Sequence, residues 1–240
     1  MRLLKFIIPY LIMQLQVANN LFAQHLSVTQ YIGEFGVHVG AVTHKGDIST
    51  DKQFYRPNFG FYYYKKLDKH LSLHLSYEHI PLGANDAKSS ILSNRNRNFN
   101  YYRSFQEFSV LWGYHFNALQ LGNLSNPIHP YIKIGMGYML NLPTDNNNFM
   151  FYEYKIERLR DQIWPILTYP IAIGAQYPLE NSISIFSEIN FRLTNSDLMD
   201  HFGIDYPVQV GTNTYRAPNN GYDYFYSFKI GIHYQWKKTL

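Results

Sequence analysis

One stretch near the end of the chain, residues 222–236, limits the possible folds more than any other. Every second residue in it is apolar or aromatic: Tyr222, Tyr224, Tyr226, Phe228, Ile230, Ile232, Tyr234 and Trp236. The residues between them are polar or glycine, with Phe225 as the exception. A period of two predicts a β-strand with one apolar face and one polar face.

The apolar face of this strand has an internal order, with aromatic residues at both ends and mostly aliphatic residues in the middle. Aromatic girdles at two water–lipid interfaces give this order in transmembrane barrels. From Tyr224 to Trp236 the strand would cover roughly 40 Å, or roughly 28 Å when tilted by about 45°, which is close to the thickness of a bilayer core. The alternative is a long strand of a soluble sandwich, packed on a second sheet. The predicted girdle residues are Tyr222, Tyr224, Tyr226, Tyr234 and Trp236.

The composition favours the membrane interpretation. Aromatic residues make up 18% of the chain and charged residues only 16%, whereas the surfaces of soluble proteins usually carry more charge. A mean hydropathy of −0.29 does not suit a helical membrane protein, but it suits a barrel whose strands each turn one face to a polar interior. The absence of cysteine excludes disulfides and zinc–thiolate sites.

The first 23 residues are predicted to be a cleaved signal peptide. Arg2 and Lys5 form a positive segment, residues 6–13 form an apolar core, and Ala23 precedes a plausible cleavage bond. The apolar run is too short for a transmembrane anchor. Removing the two basic residues would lower the formal charge from +4 to +2, which is too small to indicate a nucleic-acid partner. Residues 24–240 are then the barrel domain.

Seven further segments show strand-like alternation, and their connections alternate in length. The segments are residues 31–42, 58–66, 71–78, 108–116, 132–140, 171–177 and 183–193. Short turns on one side and long loops on the other are typical of outer-membrane barrels, whose turns face the periplasm. Hydrocarbon does not tolerate an open sheet edge, so the first strand must pair with the eighth. The predicted fold is all-β, an eight-stranded antiparallel up-and-down transmembrane β-barrel without an open pore.

The polar strand faces carry charges of both signs, which we expect to pair inside the narrow lumen because an unpaired buried charge is costly. The predicted lumenal network is Glu34, His38, His74, Glu78, Glu107, Lys133, Glu188, Arg192, Lys229 and His233, with His115 on the same set of faces. A sharper interpretation is an active site made by His74, Ser76 and Glu78. This His–Ser pair resembles that of the lipid A deacylases, in which a His activates a Ser.

No catalytic, cofactor-binding or metal site is predicted. The ten histidines are scattered, without metal-ligand spacing beside acids on a common face. Gly135 and Gly137 lie in a strand segment that lacks the following helix a phosphate loop needs. We expect such glycines to mark a bend or to leave room for a large neighbour across the lumen.

Several short motifs, spread over nearly all of residues 24–236, are similar to those of the PorG-like outer-membrane barrels associated with type IX secretion in Bacteroidota. The most specific is Glu188, Arg192, Thr194 and Asp197, spaced as E-x3-R-x-T-x2-D. The others are Gly33–Val37 with Gly40 and Gly46-Asp47, Arg56-Pro57 with Phe59-Gly60, Arg97-Asn98 with Phe105 and Glu107-Phe108, and Pro130-Tyr131 with Gly135 and Gly137. The chain departs from that pattern at His44-Lys45, where the family often has an aromatic residue before the Gly-Asp pair.

The resemblance implies a non-enzymatic role in protein secretion, linked in that family to gliding motility. Such a barrel would sit in outer-membrane lipids and anchor or help assemble the periplasmic ring of the machinery. Its expected partners are the ring lipoprotein and the ring subunit, contacted through the periplasmic turns and termini. Two alternatives remain: a lipid A deacylase-like hydrolase using His74 and Ser76, and a passive barrel, similar to OmpX or OmpA, for adhesion or envelope stability.

Overall fold

Eight long strands dominate the computed structural model, which describes residues 29–45, 55–97, 100–121, 127–141, 165–195, 208–210, 213–215 and 223–239. The long strands are β1 (Thr29–Lys45), β2 (Arg56–Lys66), β3 (Leu71–Asn85), β4 (Asn100–His115), β5 (His129–Asn141), β6 (Pro165–Pro178), β7 (Ile183–Thr194) and β10 (Tyr224–Thr239). Smaller elements are a 3₁₀ turn (Asp86–Lys88), helix α1 (Leu92–Arg97), β8 (Val208–Val210) and β9 (Asn213–Tyr215). Among the described residues, no helix is long and apolar enough to span a membrane.

The long strands form a closed barrel in the order β1-β10-β7-β6-β5-β4-β3-β2. All neighbours are antiparallel, and β1 pairs with β10 from Thr29↔Thr239 to Lys45↔Tyr224. The predicted up-and-down order and the closure between the first and last long strands are therefore confirmed. Strands β8 and β9 form a separate two-stranded sheet.

The β3–β4 hairpin is longer than the sequence pattern indicated. The pattern ended the third strand at residue 78 and began the fourth at 108, whereas β3 continues to Asn85 and β4 begins at Asn100. The reason is a change in which face is apolar, because Ile80 and Leu82 point inward and are fully buried. At its tip the Asn85 side chain accepts a hydrogen bond of 2.8 Å from the Ala87 N–H and so caps the 3₁₀ turn.

The outward face of the barrel is apolar, as the alternation predicted. On β10, Phe228, Ile230, Ile232, Tyr234 and Trp236 are exposed, and Tyr224 and Tyr226 are half-buried. Tyr222, the remaining predicted girdle residue, lies outside the described residues. On the opposite wall, β4 exposes Phe108, Val110, Trp112 and Tyr114. The surface around the described strands is thus a continuous band of large apolar side chains.

The inward side chains form three layers between the end with short turns, called the turn end, and the end with long loops, called the loop end. An aromatic layer fills the turn end: Tyr62, Tyr64, His74, His115, Tyr131, Phe186 and His233. Charged residues fill the middle. The loop end holds a mainly apolar layer, together with a buried contact of 3.4 Å between His44 and Asp223. The apolar residues of this layer are Ile80, Leu82, Phe105, Met139, Ile166 and Phe225.

Glycines on the inner wall make room for the large side chains. A Cβ atom on Gly137 would lie 2.9 Å from Glu107 Oε1 and closer still to Thr168 Oγ1. A Cβ atom on Gly36 would likewise collide with the ring of Tyr62. Small residues at these points let neighbouring strands turn bulky groups into the same narrow lumen.

The ladder between β5 and β6 is interrupted beside a proline. Pairing runs from His129↔Gln176 to Ile134↔Ile171 and resumes at Gly137↔Thr168. Pro170 lies in this gap and has no amide hydrogen to donate.

Candidate functional site

The structure places all ten residues of the predicted lumenal network on the inner wall of the barrel. None of them is more than 8% exposed. Their partners divide them into a central chain of charges, a small pair of contacts near the turn end, and a histidine–serine cluster.

The central group, here called the charged chain, crosses the lumen with alternating signs. Arg192 Nε contacts Glu107 Oε2 at 2.8 Å, and Arg192 Nη2 contacts Glu78 Oε2 at 2.6 Å. Lys229 Nζ then lies 2.5 Å from Glu78 Oε2 and 3.9 Å from Glu188 Oε1. Lys133 Nζ completes the chain at Glu188 Oε2. Three carboxylates and three cations from β3, β4, β5, β7 and β10 therefore neutralise one another.

Neutral side chains supply further hydrogen bonds to the three carboxylates. Asn58 Nδ2 donates to Glu78 at 2.6 Å, and Thr168 Oγ1 donates to Glu107 at 2.6 Å. Tyr131 donates to Glu188 at 3.2 Å. Because a buried ion pair repays its desolvation only when the remaining lone pairs are also satisfied, these neutral donors are part of the arrangement.

Phe225, the exception to the alternation of the last strand, also belongs to this arrangement. It lies on the inner face and is fully buried. The guanidinium carbon of Arg192 is 5.3 Å from the centre of its ring, within the range of a cation–π contact. Phe225, an apolar residue on the polar face of the strand, thus packs against Arg192, the cation that bridges Glu78 and Glu107.

Three predicted members of the network, Glu34, His38 and His233, belong neither to the charged chain nor to the histidine–serine cluster. Glu34 is 3.6 Å from Lys66 Nζ and 3.7 Å from His233 Nδ1. His38 lies 3.7 Å from Glu78, and neither of its ring nitrogens has a hydrogen-bond partner among the described residues.

His74 belongs to a different cluster from the one the sequence suggested. Serines lie two residues away on both sides of it, and the structure joins His74 Nε2 to Ser72 Oγ at 2.9 Å rather than to Ser76. The hydroxyl of Ser76 bonds Ser109 at 2.6 Å, and Ser72 also lies 2.8 Å from His115 Nε2. His74 bonds Ser72 and not Ser76 because residues of β4 hold the two serines, His115 at Ser72 and Ser109 at Ser76. The spacing of residues along β3 gives no information about these contacts.

The described residues contain no group of three or more acids and histidines placed to hold a metal ion. Sequence reasoning also missed Ser72, Asn58, Thr168 and Tyr131, all of which bond the titratable residues named above. Their signal was weak, since each is only a polar or aromatic residue at an inward register position.

Together these observations define a class of protein: a closed eight-stranded barrel with an apolar outer surface and a lumen filled by ion pairs. Within that class, the chain belongs to the DUF6089 family, described as a domain of unknown function, whose sequence model matches residues 13–236. A search of curated proteins finds no match.

The chain is also similar to solved outer-membrane barrels. Neisserial surface protein A (NspA) is 7% identical with a TM-score of 0.49, covering 85% of this chain and 97% of that one. OprG from Pseudomonas aeruginosa is 11% identical with a TM-score of 0.43, covering 87% and 98%. The protease OmpT from Escherichia coli is 9% identical with a TM-score of 0.38, covering 89% and 99%. At these identities and TM-scores, the three proteins do not indicate what this chain does.

Proposed function

We propose that this protein is a non-enzymatic transmembrane barrel of the outer membrane. The observation that carries the proposal is the continuous apolar band on its surface. The outward run from Phe108 on β4 to Phe116, one residue beyond the end of that strand, rises roughly 20 Å along a barrel axis inclined at about 40° to the strand. The rings at both ends of the run add to this height, and a typical lipid-facing band is about 25 Å tall. A water-exposed band of this size would be an aggregation hazard.

The filled lumen supports a structural role over a catalytic one. Ser72 and His74 are buried among aromatic rings, so a substrate acyl chain would have no access to them. Replacing Ser76 with Ala is expected to leave the lipid A acylation pattern unchanged, as measured by mass spectrometry of purified lipid A. A changed pattern would favour the hydrolase alternative.

The specific role we propose is anchoring or assembling the periplasmic ring of a type IX secretion machine, as the family resemblance suggests. The turn end offers a suitable contact surface, because the connection after β4 exposes Leu119 and Leu121. The most specific motif of the resemblance supports the fold instead: Arg192 bridges two carboxylates, and Thr194 donates to the Asp223 carbonyl at 2.7 Å. Asp197, the last residue of that motif, lies outside the described residues.

Affinity purification from detergent extracts tests this role. Leu119→Asp combined with Leu121→Asp should release the ring lipoprotein and ring subunit from the purified barrel and should block secretion of type IX cargo. The matched control is Ile91→Asp with Leu92→Asp, which adds the same charges to exposed apolar residues near α1. Normal cargo secretion after deletion of the whole protein would refute the proposal.

Adhesion is the second candidate function, and the β3–β4 hairpin is the observation that favours it. The hairpin continues beyond the apolar band and carries α1 together with the exposed residues Ile91 and Leu92. Replacing residues 86–97 with a glycine–serine linker should then reduce binding of cells to host or abiotic surfaces while cargo secretion stays normal. Under the secretion proposal, the same replacement should change neither property.

A further inference from the structure

A small cavity lies between the aromatic layer and the charged chain. Its volume is about 20 Å³, and its walls include His38, Tyr62, His74, Glu78, Lys133 and Asn190. A cavity needs about 10–15 Å³ on this measure to hold one water molecule. The space therefore suits one water and excludes a larger organic ligand.

Four residues of the cavity wall carry buried polar atoms without a hydrogen-bond partner among the described residues. These atoms are both ring nitrogens of His38, the Tyr62 hydroxyl, His74 Nδ1 and Asn190 Oδ1. All four residues are less than one-tenth exposed. Buried polar groups in folded proteins nearly always have a partner, supplied by protein or by ordered water.

The chemistry of these atoms selects the ligand. Asn190 Oδ1 can only accept a hydrogen bond, because the Nδ2 atom of the same amide donates to Glu188 at 3.4 Å. The Tyr62 hydroxyl can donate, and each neutral imidazole contributes one donor and one acceptor. A cation would need acceptors alone and an anion donors alone, whereas water serves both kinds.

Both neutral tautomers of His74 also require a water molecule as the ligand of the cavity. Ser72 has one hydroxyl hydrogen, yet its oxygen lies within hydrogen-bond distance of Nε2 on both His74 and His115. If Ser72 donates to His74, the hydrogen of that ring is on Nδ1 and requires an acceptor at the cavity. If His74 donates to Ser72 instead, its Nδ1 requires a donor there.

We propose that this cavity is a specific binding site for an ordered water molecule, which connects the His74–Ser72–His115 cluster to the charged chain. The water supplies a hydrogen-bond partner to His74 and Tyr62 on one side, and to Asn190 and one ring nitrogen of His38 on the other. Hydrogen bonds then run from His115 near the turn end through Ser72, His74 and the water to Asn190, which donates to Glu188 in the middle of the lumen. The apolar layer with Phe105 and Met139 ends this connection before the loop end.

Replacement of Tyr62 by Phe gives opposite results with and without the bound water. With the water present, the variant loses a hydrogen bond, and its folding equilibrium constant in lipid vesicles should fall by roughly fivefold. With a dry cavity, the variant removes an unsatisfied hydroxyl and should be as stable as the parent or more stable. Tyr131→Phe is the matched control, because that hydroxyl donates to Glu188 in the protein itself; it should lose stability in either case.

A crystal structure of the detergent-solubilised full-length protein at about 1.5 Å supplies the independent measurement. The proposal expects a single water peak within hydrogen-bond distance of two or more of the four residues. Crystals soaked in bromide or rubidium should show no anomalous signal there. An anomalous peak, or no density together with an undiminished stability of Tyr62→Phe, would overturn the proposal.

Discussion

Replacing Arg192 with Met is the sharpest test of how the lumen is held together. Arg192 is fully buried and bridges Glu107 and Glu78. Met fills similar space without a charge. After the replacement, Glu78 keeps Lys229 and Asn58, but the only described donor left at Glu107 is Thr168.

The expected loss follows from this unequal outcome. Removing one partner of a buried ion pair typically costs about 3–5 kcal/mol, because the remaining charge stays desolvated. We expect Arg192→Met to fall in this range, with Glu107 as the cause. The assay is urea unfolding of the barrel in lipid vesicles, followed by the gel mobility difference between folded and unfolded chains.

A double variant shows whether the loss of stability comes from the unpaired charge of Glu107 or from a packing defect at position 192. Glu107→Gln added to Arg192→Met removes that charge and should recover most of the lost stability, giving a strong coupling between the two sites. The stability of Arg192→Lys should lie between that of the parent and that of Arg192→Met. A single ammonium group keeps the positive charge, but it does not match the guanidinium fork that reaches both carboxylates. A loss below about 1 kcal/mol for Arg192→Met, or a double variant no more stable than the single one, would refute the reasoning.

Three further predictions concern the surface, the wall and one turn. Ile230→Lys, in the middle of the apolar band and 53% exposed, should cost about 2–4 kcal/mol in vesicles, and His79→Lys near the band edge about 0–1 kcal/mol; equal costs would argue against a membrane band. Gly137→Ala should destabilise the barrel by about 1–3 kcal/mol in the same urea assay, since its Cβ would lie 2.9 Å from Glu107 Oε1, and an unchanged midpoint would contradict this. Hydrogen bonds from two backbone N–H groups of the β2–β3 turn lower the pKa of the exposed Asp68 carboxyl below its ordinary 3.8. The stabilising effect of the Asp68 carboxylate should therefore be complete above the ordinary pKa, and it should be lost as the pH falls through the lowered pKa. An NMR titration of this carboxyl with a midpoint at or above 3.8 would disprove the prediction.

The outer surface of the barrel was predictable because it obeys a single rule. Hydrocarbon accepts apolar side chains at every second position, so Phe228, Ile230 and Ile232 alone indicate which face of β10 points outward. Closure followed from the same solvent, since strand edges are not tolerated there. The register, with Tyr224 opposite Lys45 and a shift between Tyr31 and Gly33, was not predicted, because closure alone does not specify which residues pair.

The interior obeys no such rule, and the sequence could not predict its partners. Charge sign alone does not show that Arg192 reaches across to Glu107, a contact 85 residues apart along the chain. The same holds for His74, whose choice of Ser72 depends on His115 on the neighbouring strand. At the loop end the inner face becomes apolar at Ile80, and a rule that assigns apolar residues to lipid misplaces the end of that strand.

The gap at Pro170 has a mechanical consequence. Each pair of neighbouring strands is joined by a ladder of backbone hydrogen bonds. Lipid strengthens every one of these bonds, because no water competes for them. The β5–β6 ladder lacks pairing at two positions, Gly135 and Met136, beside Pro170, which has no N–H to donate. Gly135 also has no side chain that could pack against the neighbouring strand. We therefore expect a pulled or heated barrel to separate first between β5 and β6, before the longer β1–β10 ladder opens.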